Sequence, residues 1–176
     1  GGYTDNIEYI TISTLGNAAD FGDLLNAAYG PGGSVASPTR AVHFLARTPS
    51  HRNILEYVTI ATLGNAKDFG DLVTGSSMRN CGSFSSPVRG VYGGGSGNDT
   101  IEYITISSLG DSIDFGNLAK SDNNRLSGAS SSTRGLFGGG ETSSPGTTTN
   151  VIDYITIATT GDAADFGDLS QARSGG

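Results

Sequence analysis

One phrase is written four times along the chain, and no other feature restricts the possible folds as much. Ile7-Glu-Tyr-Ile-Thr-Ile12 is followed by Leu-Gly-Asn-Ala-Ala-Asp-Phe-Gly-Asp-Leu over residues 15–24. The pair returns at 55–60 with 63–72, at 101–106 with 109–118, and at 152–157 with 160–169. Its tyrosines, Tyr9, Tyr57, Tyr103 and Tyr154, stand 48, 46 and 51 residues apart. Tandem periods of about 20 to 50 residues belong to solenoids, propellers and arrays, where each unit buries its apolar face on the next.

The phrase reads as a strand because it is dense in β-branched and aromatic residues. In the third unit Ile101, Tyr103 and Thr105 point one way and Glu102, Ile104 and Ile106 the other. Bulky residues on both faces imply a strand covered on both sides. Leu109-Gly110-Asp111 supplies turn chemistry, as do Leu15-Gly16-Asn17 and Leu63-Gly64-Asn65. A second short strand centres on Phe21, Phe69, Phe115 or Phe166 and makes a hairpin with an aromatic plug. A further strand starts at Arg40, Arg89 or Arg134 and, in two units, ends in three glycines at 93–95 and 138–140. Three or four short strands per unit is the content of one propeller blade. The repeated Tyr, Phe, Ile and Leu are assigned to core packing, and burial of each is worth about 1.5–3 kcal/mol.

Composition agrees: 28 of 176 residues are glycine and 35% are hydrophobic, which suits tight turns better than long helices. Ten basic against 17 acidic residues leave a net charge of −7. That balance argues against nucleic acid or anionic lipid as a general electrostatic partner. No run of about 18 apolar residues is present to insert in a membrane as a helix. Cys81 stands alone, so no internal disulfide forms.

The Arg-Gly-Val-Tyr-Gly-Gly-Gly run at 89–95, with its downstream tyrosine and aromatic-Gly-x-Leu, resembles the kelch repeat. The full phrase is similar to kelch-like tandem repeats of marine phage structural and tail-associated proteins. The resemblance implies an all-β, kelch-like β-propeller or propeller fragment of four repeats of about 48 residues, with an incomplete edge blade. It also implies a non-enzymatic structural or attachment part of a virion, facing other virion proteins or a host-surface glycan or protein. Two departures stand out. The chain has no tryptophan, and the second unit carries Ala41-Val-His-Phe-Leu-Ala46 where others carry glycines.

The units read as 1–39, 40–87, 88–132 and 133–176 within one repeat domain. Four core hairpins but only three Arg-led strands leave one blade cut in mid-course. The chain is then a fragment of a longer array, a compact four-unit body with a short blade, or a subunit completed by a partner strand. The last option gives self-association through an unpaired edge, and with it an extracellular filament.

Candidate chemistry is sparse. The acids of Asp20-Phe-Gly-Asp23 and its copies lack the dense loop of a calcium site and read as turn and cap groups. His43 and His51 have no zinc-site spacing, and no nucleophile elbow or phosphate loop occurs. No cofactor, metal or catalytic residue is assigned. Arg40, Arg89 and Arg134 are expected to form a ladder of forked ion pairs with Glu8, Glu56, Glu102 and Asp153. The connecting segments differ between units while the phrase does not, and loops on a rigid scaffold are where binding residues gather. Tyr29, Arg47, His51, Arg52, Met78, Arg79, Phe84 and Arg125 are the candidate contacts for a sugar or protein. A lectin-like carbohydrate-binding module is the alternative function.

Overall fold

The computed structural model describes residues 2–28, 32–44, 53–74, 80–120, 124–142 and 146–174. Its regular structure is all strand, in four antiparallel sheets. The first sheet pairs β1 (Thr4–Tyr9) with β2 (Ala19–Ala28) alone. The second is a meander of β3 (Ser34–Ala36), β4 (Arg40–Phe44), β5 (Ile54–Thr59) and β6 (Lys67–Asp71). The third runs β7 (Gly82–Ser85), β8 (Arg89–Gly93), β9 (Thr100–Thr105) and β10 (Ile113–Asn117). The fourth runs β11 (Ser127–Ser130), β12 (Arg134–Gly138), β13 (Val151–Thr156) and β14 (Ala164–Asp168). Each complete sheet thus opens one short strand ahead of its arginine. A serine makes that turn: Ser86 Oγ accepts the Arg89 N–H at 3.0 Å, and Ser37 and Ser131 repeat the bond.

Alternation along the strands places apolar residues on both faces of the sheets, and the faces between the second, third and fourth sheets are buried against each other. Phe69, Val42, Leu55 and Leu72 of the second sheet meet Tyr92, Ile104 and Ile106 of the third in one buried cluster. Phe84, Val91, Ile101, Phe115 and Leu118 of the third meet Phe137, Ile155 and Ile157 of the fourth in another. The expected plug is present in every unit as an edge-to-face pair. Tyr103 and Phe115 lie 5.9 Å apart at 88°, and Tyr9–Phe21, Tyr57–Phe69 and Tyr154–Phe166 repeat the arrangement.

One ladder slip recurs at the same place in every unit. Gly116 pairs with Ile101 and Asp114 with Glu102, which leaves Phe115 as a β-bulge. The glycine after it has φ near +145° in the first three units, a conformation side chains rarely adopt. Its lack of a side chain is also needed for close approach. A Cβ on Gly22 would lie 2.5 Å from the Gly64 carbonyl carbon in the next sheet, and one on Gly116 would lie 2.5 Å from that of Gly161.

Candidate functional site

Three inter-sheet junctions carry the recurring polar residues, and all three are built alike. The bulge turns the Phe21 carbonyl outward, where it accepts the Gly64 N–H at 2.8 Å. Asp23 O accepts the Ala66 N–H at 2.8 Å, and Asn65 Oδ1 accepts the Asp23 N–H at 3.1 Å. Phe69 and Asp71 hold Gly110, Ser112 and Asp111 in the same way, and Phe115 and Asn117 hold Gly161, Ala163 and Asp162. The Leu-Gly-Asn turn of one unit is therefore a clip on the Asp-Phe-Gly-Asp strand of the unit before.

The forked Arg–acid ladder does not form. Arg40 and Tyr57 lie on the face toward the next sheet, whereas Glu56 lies on the face toward the preceding one, so period-2 alternation separates them. Glu56, Glu102 and Asp153 cap backbone instead. Glu56 is fully buried and accepts the Leu25 N–H at 2.8 Å and the Asn26 amide at 3.0 Å. Glu102 accepts Val73 N–H at 3.3 Å, Thr74 N–H at 2.9 Å and the Ser112 hydroxyl. Asp153, one methylene shorter, accepts Ala119 N–H at 3.1 Å and leaves its other oxygen buried without a partner. Burial and the nearby Asp165 raise its pKa, against the bond from Ala119.

The arginines reach the other way. Arg89 lies 4.3 Å over the Tyr103 ring and donates to the Ile157 carbonyl of the next sheet at 2.7 Å. Arg40 lies 4.4 Å over Tyr57 and donates to Ile106 O at 2.8 Å. Arg134 stacks on Tyr154 at 4.7 Å.

Antiparallel topology sorts the chain into two unlike ends. The Ser-led turns at 36–40, 85–89 and 130–134 and the Leu-Gly turns all sit at one end of the sheets. Every variable segment leaves and re-enters the sheets at the other. The candidates Tyr29, Arg47, His51, Arg52, Met78 and Arg79 fall in these segments and lie outside the described residues. Arg125 is described. It is half exposed, pairs with Glu141 at 3.3 Å and, with Arg173 and Leu169, lines a cleft of about 130 Å³. Phe84 belongs elsewhere: it is buried on β7, its ring 4.8 Å from Phe137, because the short strand before each arginine also feeds the core.

Local strain gathers at the variable end. Among the described residues, the non-glycine residues with positive φ are Asn80 at 59°, Ser96 at 52° and Arg125 at 54°, all in its loops. Asn124 ties them together, its Oδ1 accepting the Asn80 amide at 3.4 Å and the Ser96 N–H at 3.3 Å. Sequence reading missed Asn80, Ser96 and Asn124; an Asn or Ser beside glycine in a variable loop was the available signal.

A second cleft, about 370 Å³, opens between the first two sheets. Asn6, Glu8, Ser34, His43, Glu56 and Tyr57 contribute to its lining. Among the described residues, the first sheet sets no strand opposite β3 and β4. Ala41 and His43 occupy the face where Gly90 and Gly135 must make room for Val35 and Phe84, and where Tyr92 and Phe137 fill the core. His43 Nδ1 meets Ser34 Oγ at 2.8 Å, and burial lowers its pKa below 6.5. Glu56, in register with His43 across the ladder, spends its oxygens on the first sheet, so no relay links the three.

Cys81 packs against the core below Tyr92, and burial pushes its thiol up to about 12, which keeps it unreactive at neutral pH. The Tyr92 hydroxyl is buried without a hydrogen-bond partner, and its pKa is likewise raised, by burial first and by Cys81 second. Among the described residues no three His, Cys, Asp or Glu side chains converge to hold a metal ion. No protein-family model and no curated protein matches the chain.

Proposed function

We propose that the chain is a non-enzymatic, kelch-like β-propeller segment that serves as a structural or attachment component of a virion. Contact with its target is made through the variable end. The virion setting rests on the resemblance of the repeated phrase. The attachment role rests on one observation: the polar residues that recur are consumed between sheets, and the connecting segments that vary leave and re-enter the sheets at one end.

Charge narrows the target. Arg47, Arg52, Arg79, Lys120, Arg125 and Arg173 fall in the segments at the variable end, against Asp99, Asp122 and Glu141. By sequence, these segments carry six cations against three acids in a chain of net charge −7. An anionic surface polymer is the partner such an end fits, and binding to it weakens as salt rises above about 0.15 M.

The test is a glycan array read with the intact chain, with Arg125→Ser/Arg173→Ser, and with Thr62→Ala at the constant end. Capture by acidic glycans, lost in the double variant and kept in Thr62→Ala, supports the reading. Capture of neutral glycans alone favours the lectin alternative, and capture of none contradicts attachment to sugar. Immunogold labelling of phage particles with antibody to the chain tests the virion setting, and unlabelled particles contradict it.

A further inference from the structure

The two outer faces of the array are unsatisfied halves of the junction made three times inside it. On the fourth sheet, Phe166 is 51% exposed, whereas Phe69 and Phe115 are each 3% exposed. A Cβ on Gly167 would meet nothing within 4 Å, although Gly22, Gly70 and Gly116 are all pressed against the next unit's turn. Arg134 stacks on its tyrosine like Arg40 and Arg89, yet no carbonyl of a following sheet meets it. On the first sheet, Ile12 is 94% exposed, whereas Ile106 and Ile157 are buried. Leu15 is fully exposed, whereas Leu63 and Leu109 are each 59% exposed, and Glu8 is exposed while Glu56 and Glu102 are buried on backbone.

We propose that the outer face of the fourth sheet docks the first sheet of a second copy of this chain, head to tail. The bonds follow from the internal junctions position by position. Phe166 O receives the Gly16 N–H, Asp168 O receives the Ala18 N–H, and Asn17 Oδ1 receives the Asp168 N–H. Glu8 takes the Ser170 N–H, as Glu56 takes that of Leu25. Arg134 reaches Ile12 O, as Arg89 reaches Ile157 O. Apolar area closes in the same step, since Phe166 and Ile152 meet Ile10 and Ile12. The partner is a second copy because donors, acceptors and the glycine gap all match the first unit of this sequence.

The contact uses different patches on the two copies, so it is heterologous and builds a ring or an open chain according to its rotation. It involves the packed faces and clip turns rather than the free edge of β1, and is thus distinct from strand exchange. It also leaves the variable end free on every copy.

Sedimentation of the 176-residue chain from micromolar to millimolar concentration tests the proposal. The mass is expected to rise above 17.9 kDa with concentration. Ile12→Asp/Leu15→Asp is expected to weaken association by about tenfold or more, a change of about 1.4 kcal/mol. Its circular dichroism and melting should stay unchanged, because both side chains are already in water. Arg125→Ser should leave association intact, so loss of glycan capture and loss of assembly are separable. A mass fixed at 17.9 kDa at millimolar concentration overturns the proposal. So does association that Ile12→Asp/Leu15→Asp leaves unchanged.

Discussion

The junction between the third and fourth sheets and the junction between the first and second use the same phrase, yet they are finished differently. At the former, inner and outer strands both engage: Phe84 lies against Phe137, and Arg89 crosses to Ile157 O. At the latter only the outer strands meet. The clip from Gly64 to Phe21 O and the cap from Glu56 to Leu25 are intact, but a cleft holding His43 replaces the aromatic pair. The backbone clip and the buried acid therefore set the spacing of the sheets without the inner core. The aromatic contacts of β7 and β12 add stability on top of that frame.

Substitutions at matched positions break this comparison most sharply. Phe137→Ala removes a buried ring and is expected to cost about 3–5 kcal/mol in denaturant unfolding. His43→Ala, the same position two junctions earlier, should cost under about 1 kcal/mol because the ring borders an open cleft. Equal costs would mean that the inner strands do not distinguish the two junctions.

The acids come next. Glu102→Ala strands the Thr74 N–H and leaves the Val73 N–H to the Ser112 hydroxyl alone, and should cost about 1–3 kcal/mol. Glu8→Ala, at the exposed equivalent, should change stability by less than about 0.5 kcal/mol. Asp153→Glu restores the reach of Glu102 and is expected to raise the melting temperature, with the gain largest above the raised pKa of Asp153, where its unpartnered carboxylate is charged. Arg89→Ala should cost about 1–3 kcal/mol through its carbonyl bond and its tyrosine, and Arg134→Ala less than about 1 kcal/mol.

The smallest effect is a pH dependence. The folded pKa of His43 lies below its unfolded value of 6.5, so the unfolded chain takes up the proton first. Its neutral form is fully compatible with the fold above pH 6.5, and stability falls as pH drops through that value. The slope cannot exceed about 1.4 kcal/mol per pH unit. His43→Phe should remove this component of the melting profile, and an unchanged profile assigns it to another group.

The strand phrase, the hairpin and the aromatic plug were legible because the spacing of Ile, Tyr and Thr is local chemistry. The direction of Arg40 and Glu56 was also written in their alternation, but matching charges by type drew them together across a sheet that holds them apart. The role of Gly22 and its equivalents was hidden, since the φ it adopts serves a turn 42 residues away. Phe84 read as a loop residue because a four-residue strand carries too little periodicity to stand out. The glycine-poor second unit was visible as irregular. That Ala41 and His43 border an open cleft is visible only once the sheets are stacked.

Residue-resolved hydrogen exchange on dilute monomer tests the clip most directly. Gly64, Ala66, Gly110, Ser112, Gly161 and Ala163 amides, each donated to the preceding sheet, should exchange slowly together. Gly16 and Ala18, in the same turn of the first unit with no sheet before it, should exchange at nearly the free-chain rate. Fast exchange at Gly110 and Gly161, or protection at Gly16 equal to theirs, would contradict junctions built on these bonds.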